Sequence, residues 1–183
     1  MTQLIQPIGV SRQVLVRQAV NQYLQVARNA YSIAVPEIDT LFNLRGRCAG
    51  MYRTRRTATD CERQIRFNPW LFAKYFDDNL KNTVPHEVAH YVTDLLFGLQ
   101  SIKPHGQQWK QVMALFGAEP LVRGDYDLTG IPVNSVKRFR YYCDCRTIEL
   151  SHYRHKKIIS GQQRYLCREC GQLLVRAISR PCS

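Results

Sequence analysis

The sequence predicts an α+β fold in two parts, and three observations carry that expectation. Apolar residues recur at helical spacing over residues 11–31 and 83–97, as in helices with one buried face. Residues 34–67 instead break into short runs between Pro36, Gly46, Gly50 and Asp60, the pattern of a small sheet. From Tyr141 onward, closely spaced cysteines and basic residues take over. A chain of 183 residues with 45% hydrophobic content has room for one ordinary domain and a small appendage. These are read as residues 1–135 and 136–183.

Ser11 is placed to cap the first helix, which runs to about Tyr31 with Val16, Ala19, Val20, Tyr23, Leu24 and Ala27 on one side. In the strand region Met51-Tyr52 follows Gly50, and Ile65 and Phe67 alternate with Arg66, which gives about three strands. Asn68-Pro69 opens a second helix carrying Trp70, Leu71, Phe72, Tyr75 and Phe76. Thr83 and Pro85 are start signals for a third helix and Gly98 an end signal. Val84, Val88, Tyr91, Val92, Leu95 and Leu99 form its apolar stripe. After a turn at Lys103-Pro104-His105-Gly106, a further helix spans about Gln107 to Phe116, closed by Gly117. Its Trp109, Val112, Met113 and Phe116 read as plain core packing. Residues 119–135, with Pro120, Gly124, Gly130 and Pro132, read as a loop-rich connector.

No segment approaches 18 apolar residues in a row, so no membrane span is expected. The first residues lack the basic and apolar runs of a secretory leader, and the expected location is the cytoplasm. Seven cysteines are an odd number for a disulfide framework. In a reducing compartment, short-spaced cysteine pairs are metal ligands more often than bridges. Cys48, Cys61 and Cys182 stand apart and read as free thiols. The net charge of +12, from 26 Lys+Arg against 14 Asp+Glu, favours a polyanionic partner, with nucleic acid the commonest.

The third helix carries His86-Glu87-Val88-Ala89-His90. Histidines four apart share one helix face, so both imidazoles can reach one metal ion. The glutamate between them is placed as a general base beside that ion. This H-E-x-x-H arrangement is that of zinc hydrolases, mostly peptidases. A catalytic zinc takes three protein ligands. The metzincin pattern, with a histidine six residues after His90, is excluded because position 96 is leucine. Glu119 is the only glutamate between Glu87 and the cysteine segment. His105 is favoured over it, because its turn follows the helix directly and Gly106 gives that turn backbone freedom.

Cys143-Asp144-Cys145 and Cys167-Arg168-Glu169-Cys170-Gly171, with 21 residues between them, have the spacing of a zinc ribbon. Four thiolates on one zinc staple a segment too small to hold its own core. A C-x-C pair on a strand places both sulfurs on one side, so His152 or His155 could replace one of those cysteines. Residues 137–183 hold 11 Lys+Arg against 3 Asp+Glu, with Phe139, Tyr141, Tyr142, Tyr153 and Tyr165 interleaved. Basic groups neutralise phosphates while aromatic rings stack on unpaired bases, so nucleic acid is the expected partner.

Several motifs stand in one order: Arg45-Gly46-Arg47-Cys48-Ala49-Gly50, Ile65-Arg66-Phe67-Asn68-Pro69, Val84-Pro85-His86-Glu87-Val88-Ala89-His90 and Pro104-His105-Gly106-Gln107-Gln108-Trp109. Cys143-Asp144-Cys145 and Tyr165-Leu166-Cys167-Arg168-Glu169-Cys170-Gly171 complete the series. From about Ser11 to Val175 the chain resembles the SprT family, bacterial relatives of the Spartan DNA-dependent metalloproteases. The resemblance implies a zincin-like metalloprotease domain, helices packed on a small sheet, with His86, His90 and His105 as catalytic-zinc ligands and Glu87 as general base. It also implies a C-terminal zinc-ribbon β-hairpin segment holding a structural zinc through Cys143, Cys145, Cys167 and Cys170, with His155 as alternative ligand. DNA-bound or DNA-crosslinked proteins are the implied substrates. The alternative is a non-catalytic nucleic-acid-binding module whose zinc ions are both structural. Glu87 argues against it, since a structural site has no use for a general base.

Overall fold

The computed structural model describes residues 4–57, 59, 61–121, 125–133 and 137–176. Asp60, read above as a break between strands, Gly124 and Ser135 of the connector, and the isolated Cys182 lie outside the described residues. The chain divides into two units, Met1–Val133 and Asn134–Ser183, and each mixes helix with a three-stranded sheet.

In the first unit, α1 (Val10–Tyr31) buries Val16, Val20, Leu24 and Ala27. It starts one residue before the expected cap. The Gln13 N–H bonds the Gly9 carbonyl at 3.1 Å, so Gly9 holds the N-cap position and Ser11 is already inside the first turn. Strands β1 (Asp39–Leu41), β2 (Gly50–Arg56) and β3 (Cys61–Phe67) follow. Their order is β1-β3-β2, with β1 parallel and β2 antiparallel to β3. That leaves β2 at the sheet edge. Ile65 and Phe67 on β3 enter the core and Arg66 does not, as a period of two requires.

Asn68 caps α2 (Pro69–Lys74), accepting from the Trp70 and Leu71 amides. Its Nδ2 donates to the Gly46 and Cys48 carbonyls at 3.0 and 3.2 Å. The helical path breaks at Tyr75 (φ −132°, ψ 55°). It resumes as α3 (Phe76–Asp78) and a π-helical turn (Asn79–Thr83), which runs straight into α4 (Val84–Phe97). Thr83 therefore caps nothing: its backbone is already helical, and its Oγ1 donates to Asn79 Oδ1 at 2.7 Å. Buried Asn79 also donates to the Leu71 and Tyr75 carbonyls, which ties the turn to α2. Gly98 ends α4, and Leu99 beyond it is exposed rather than part of the stripe. Helix α5 is Gln107–Leu115. The core joins Val16, Val20 and Leu24 of α1 to Val84, Val88 and Val92 of α4, Trp109, Val112 and Met113 of α5, and the inner side of β3.

In the second unit, β4 (Arg138–Tyr142) pairs antiparallel with β5 (Thr147–Ser151) on one side and with β6 (Val175–Arg176) on the other. A helix, α6 (His152–Ile159), follows β5 where the sequence suggested only a hairpin segment. Most of its residues are polar or basic, and of its hydrophobic residues Ile158 packs against the unit's core. Lys156 and Lys157 in its last turn complement the helix dipole. That core is small, consisting of Tyr141, Leu150, Cys167 and Leu174 with a few partly buried neighbours. Among the described residues, no helix is long and apolar enough to cross a membrane.

Candidate metal centres

Helix α4 places His86 and His90 one turn apart with their Nε2 atoms 3.2 Å from each other. His105, in the turn before α5, brings its Nε2 to 3.0 Å from that of His90 and 3.1 Å from that of His86. It does so with φ at +56°, a left-handed value that disfavours a side chain by about 1–2 kcal/mol. The strained residue is thus His105 itself and not Gly106. Gly106 is needed for space, because a Cβ there would stand 2.9 Å from the Lys103 carbonyl oxygen. Glu119, the other candidate third ligand, is not part of the cluster.

Three ring nitrogens at this spacing aim at one point. A neutral imidazole has a single N–H, and His86 uses its own on the Leu121 carbonyl, 3.0 Å from Nδ1. Its Nε2 is then a lone-pair acceptor turned toward the other two rings. A point equidistant from the three nitrogens lies about 1.8 Å from each, a spacing that three imidazole ligands of one zinc ion, at roughly 2.0–2.1 Å each, would fit. The donor set fits zinc. Trp109 walls the cluster, its ring centroid 4.8 Å from those of His86 and His105 and 5.6 Å from that of His90. Its indole N–H donates to the His86 carbonyl at 3.3 Å.

Burial shapes the electrostatics. It lowers His90 to about 3, helped by the charges of His86 and His105. It lowers His86 to about 4, helped by His105 and opposed by the Leu121 carbonyl. His105 is also lowered, by burial alone. All three rings are neutral near pH 7 and need release no proton to a metal. Glu87 moves the other way: burial pushes its carboxyl up to about 8, against the pull of the Tyr52 amide, which donates to Oε2 at 2.6 Å. A divalent charge nearby reverses that preference, since an adjacent cation favours the carboxylate.

The second cluster gathers Cys143, Cys145, Cys167 and Cys170, whose sulfurs all lie within 4.8 Å of one another. The C-x-C pair is not on a strand. It occupies the β4–β5 connection, closed by the Cys143 N–H on the Arg146 carbonyl at 3.1 Å, and its sulfurs converge at 3.3 Å. The second pair forms a turn in which Gly171 donates to the Cys167 carbonyl and the Cys167 N–H bonds the Gln172 carbonyl. Amides of Cys170 and Glu169 lower the Cys167 thiol, as suits a thiolate ligand. Neither suggested substitute joins the cluster. His155 stacks on Phe139 at 3.6 Å and 4° and hydrogen-bonds Tyr141 Oη at 2.9 Å, and His152 lies beside the same Phe139 ring.

Three contributors escaped the sequence reading: the Tyr52 amide, the Leu121 carbonyl and the Trp109 indole. The first two are backbone groups with no residue signature. Trp109 had one, its spacing from His105, but its apolar stripe accounted for it as core.

The SprT-like family matches residues 16–135. Protein SprT of Shewanella oneidensis is 34% identical over 162 residues, 88% of this chain and 96% of its own. Protein SprT of Vibrio parahaemolyticus is 32% identical over 86% of this chain and 90% of its own. Protein SprT of Pseudomonas fluorescens is 39% identical over 72% of this chain and 76% of its own. No solved structure matches the chain.

Proposed function

The chain belongs to the SprT-like family, and from that premise we propose that it is a zinc-dependent endopeptidase acting on proteins bound or crosslinked to DNA. The observation that carries the reading is the convergence of three imidazole nitrogens beside a buried glutamate on one helix. His86, His90 and His105 would hold the ion. Zinc so held supplies Lewis-acid polarisation of a carbonyl and acidifies a coordinated water to a pKa of roughly 7.

Glu87 takes the nucleophile's proton on its carboxylate and returns a proton to the leaving amine. Its burial excludes bulk water from that exchange. Leu121 holds the His86 ring in the tautomer that leaves Nε2 free, and such outer partners typically matter 10–100-fold in metal affinity. The cysteine cluster would hold a second zinc in a structural role, with all four positions filled by sulfur. The excess of 11 basic over 3 acidic residues in 137–183 supports DNA as the partner of the second unit.

A crosslinked DNA–protein substrate incubated with the zinc-loaded chain, with and without added single-stranded DNA, tests this. DNA-stimulated cleavage that disappears in Glu87→Gln is the expected result. Absence of cleavage in the zinc-loaded wild type with DNA present would favour the non-catalytic binding module.

A further inference from the structure

The Glu87 side chain rests against an edge strand that is shaped to receive it. In the β2–β3 ladder the Asn68 amide bonds the Ala49 carbonyl at 2.8 Å. Antiparallel pairs alternate between bonded and non-bonded. Gly50, Tyr52 and Thr54, opposite Phe67, Ile65 and Arg63, therefore turn their amides away from β3. The outward amide of Tyr52 is the one that meets Glu87 Oε2 at 2.6 Å. Two residues earlier the strand has no side chain. A Cβ on Gly50 would stand 2.6 Å from Glu87 Cγ, 2.7 Å from Glu87 Oε1 and 2.7 Å from Thr83 Cγ2.

The strand is also tied to the helix two turns beyond Glu87. Tyr52 Oη donates to Asp94 Oδ2 at 2.6 Å, and Arg63 Nε donates to the same oxygen at 2.8 Å. The other Asp94 oxygen accepts from the Leu99 amide at 3.2 Å. Asp94 is buried with its side chain 4% exposed, where a carboxylate persists only if paired. One β2 residue thus contacts α4 through both its backbone and its side chain.

Resting on the reading of Glu87 as general base, we infer that Gly50 and Tyr52 are positioning residues for it, with Asp94 and Arg63 fixing the distance between strand and helix. A free glutamate side chain loses rotamer entropy when held in one place. The cradle takes that loss during folding, before substrate arrives. Oε2 is engaged by the Tyr52 amide, which leaves Oε1 for the proton.

The test is Gly50→Ala in the full zinc-loaded chain, beside wild type, Glu87→Gln and the remote control Gly9→Ala, whose new methyl meets nothing within 4 Å. Gly50→Ala is expected to lower kcat about 100-fold, the scale of a 1 Å misplacement. KM should stay within about twofold of wild type, with both metal equivalents retained, because binding is not what the cradle serves. A kcat within about twofold of wild type overturns the inference. If Gly50→Ala loses metal, Tyr52→Phe decides: it keeps the amide and frees the anchor. A fall in kcat at constant KM and metal content then supports the cradle, and wild-type kcat overturns it. An inactive wild type, or an active Glu87→Gln, defeats the peptidase reading itself and is distinct from both results.

Discussion

The two clusters of metal-ligating residues stand on opposite kinds of support. His86 and His90 stand on α4 and His105 in the turn that leads into α5, and both helices join a core of 17 buried residues among those described. Cys143, Cys145, Cys167 and Cys170 sit in turns of a unit with four buried core residues, one of them the ligand Cys167. In the first unit the fold itself brings the donor atoms together. In the second, four cysteine sulfurs gather within 4.8 Å of one another beside a small core. The chemistry matches the division: three imidazole nitrogens beside a buried carboxyl group in one place, sulfur alone in the other.

Metal removal should give the largest effect that separates them. With a strong chelator at neutral pH, amides of β4 and β5 should lose hydrogen-exchange protection, since a structural zinc contributes folding free energy outright. Amides of α1 and α4 should stay protected. Loss of protection in both units together would show that the first unit depends on metal as the second does.

The next effect is in the metal-free protein as a function of pH. Glu87 is raised to about 8 from an ordinary value of 4.5, so between those values the folded chain holds a proton that the unfolded chain has released. Its contribution is therefore intact below pH 4.5 and is lost as pH rises through 8. Glu87→Gln removes that loss. The metal-free variant should be more stable than wild type at pH 9 by on the order of 3–5 kcal/mol, and equal to it near pH 4. The difference between the two proteins is the quantity to follow by denaturant unfolding, because His86 and His90, lowered by burial, act oppositely at acid pH in both. A constant difference across this range would show that Glu87 does not titrate as its burial requires.

How much of this was legible in the sequence differs between the same two regions. The i, i+4 histidines, the position of Glu87 and the return of the chain at His105 follow from helical spacing and a turn, and the geometry matches. The break at Tyr75 and the π-helical turn before α4 were not legible. They depend on the buried amide of Asn79 bonding residues four and eight positions back, and no local propensity reports that. In the cysteine region the spacing indicated a metal site, but it gave no sign that Cys143 and Cys145 lie in a tight connection, where both sulfurs reach one point. Helix α6 was hidden by its composition, since most of its residues are polar or basic and its apolar pattern is short.

A smaller effect concerns the wall of the histidine cluster. Trp109→Phe keeps an aromatic ring but deletes the hydrogen bond to the His86 carbonyl. Stability should fall by about 1 kcal/mol, and zinc affinity at this site by about tenfold, as for other outer partners. Competition with a chromophoric chelator reads the second quantity, and an unchanged affinity would remove Trp109 from the site. The smallest effect is expected from His155→Ala. His155 stacks on Phe139 and is not among the converging sulfurs, so the bound metal should not change. Loss of one equivalent would return His155 to the ligand set.

A catalytic histidine cluster and a structural cysteine cluster in one chain make a demand that a single variant can meet or fail. Metal content and peptide-bond cleavage measured on the same sample of Glu87→Gln test it most directly. Two zinc ions per chain, as in wild type, are expected, with cleavage reduced by about a thousandfold or more. Cleavage at the wild-type rate with both metals in place would contradict it.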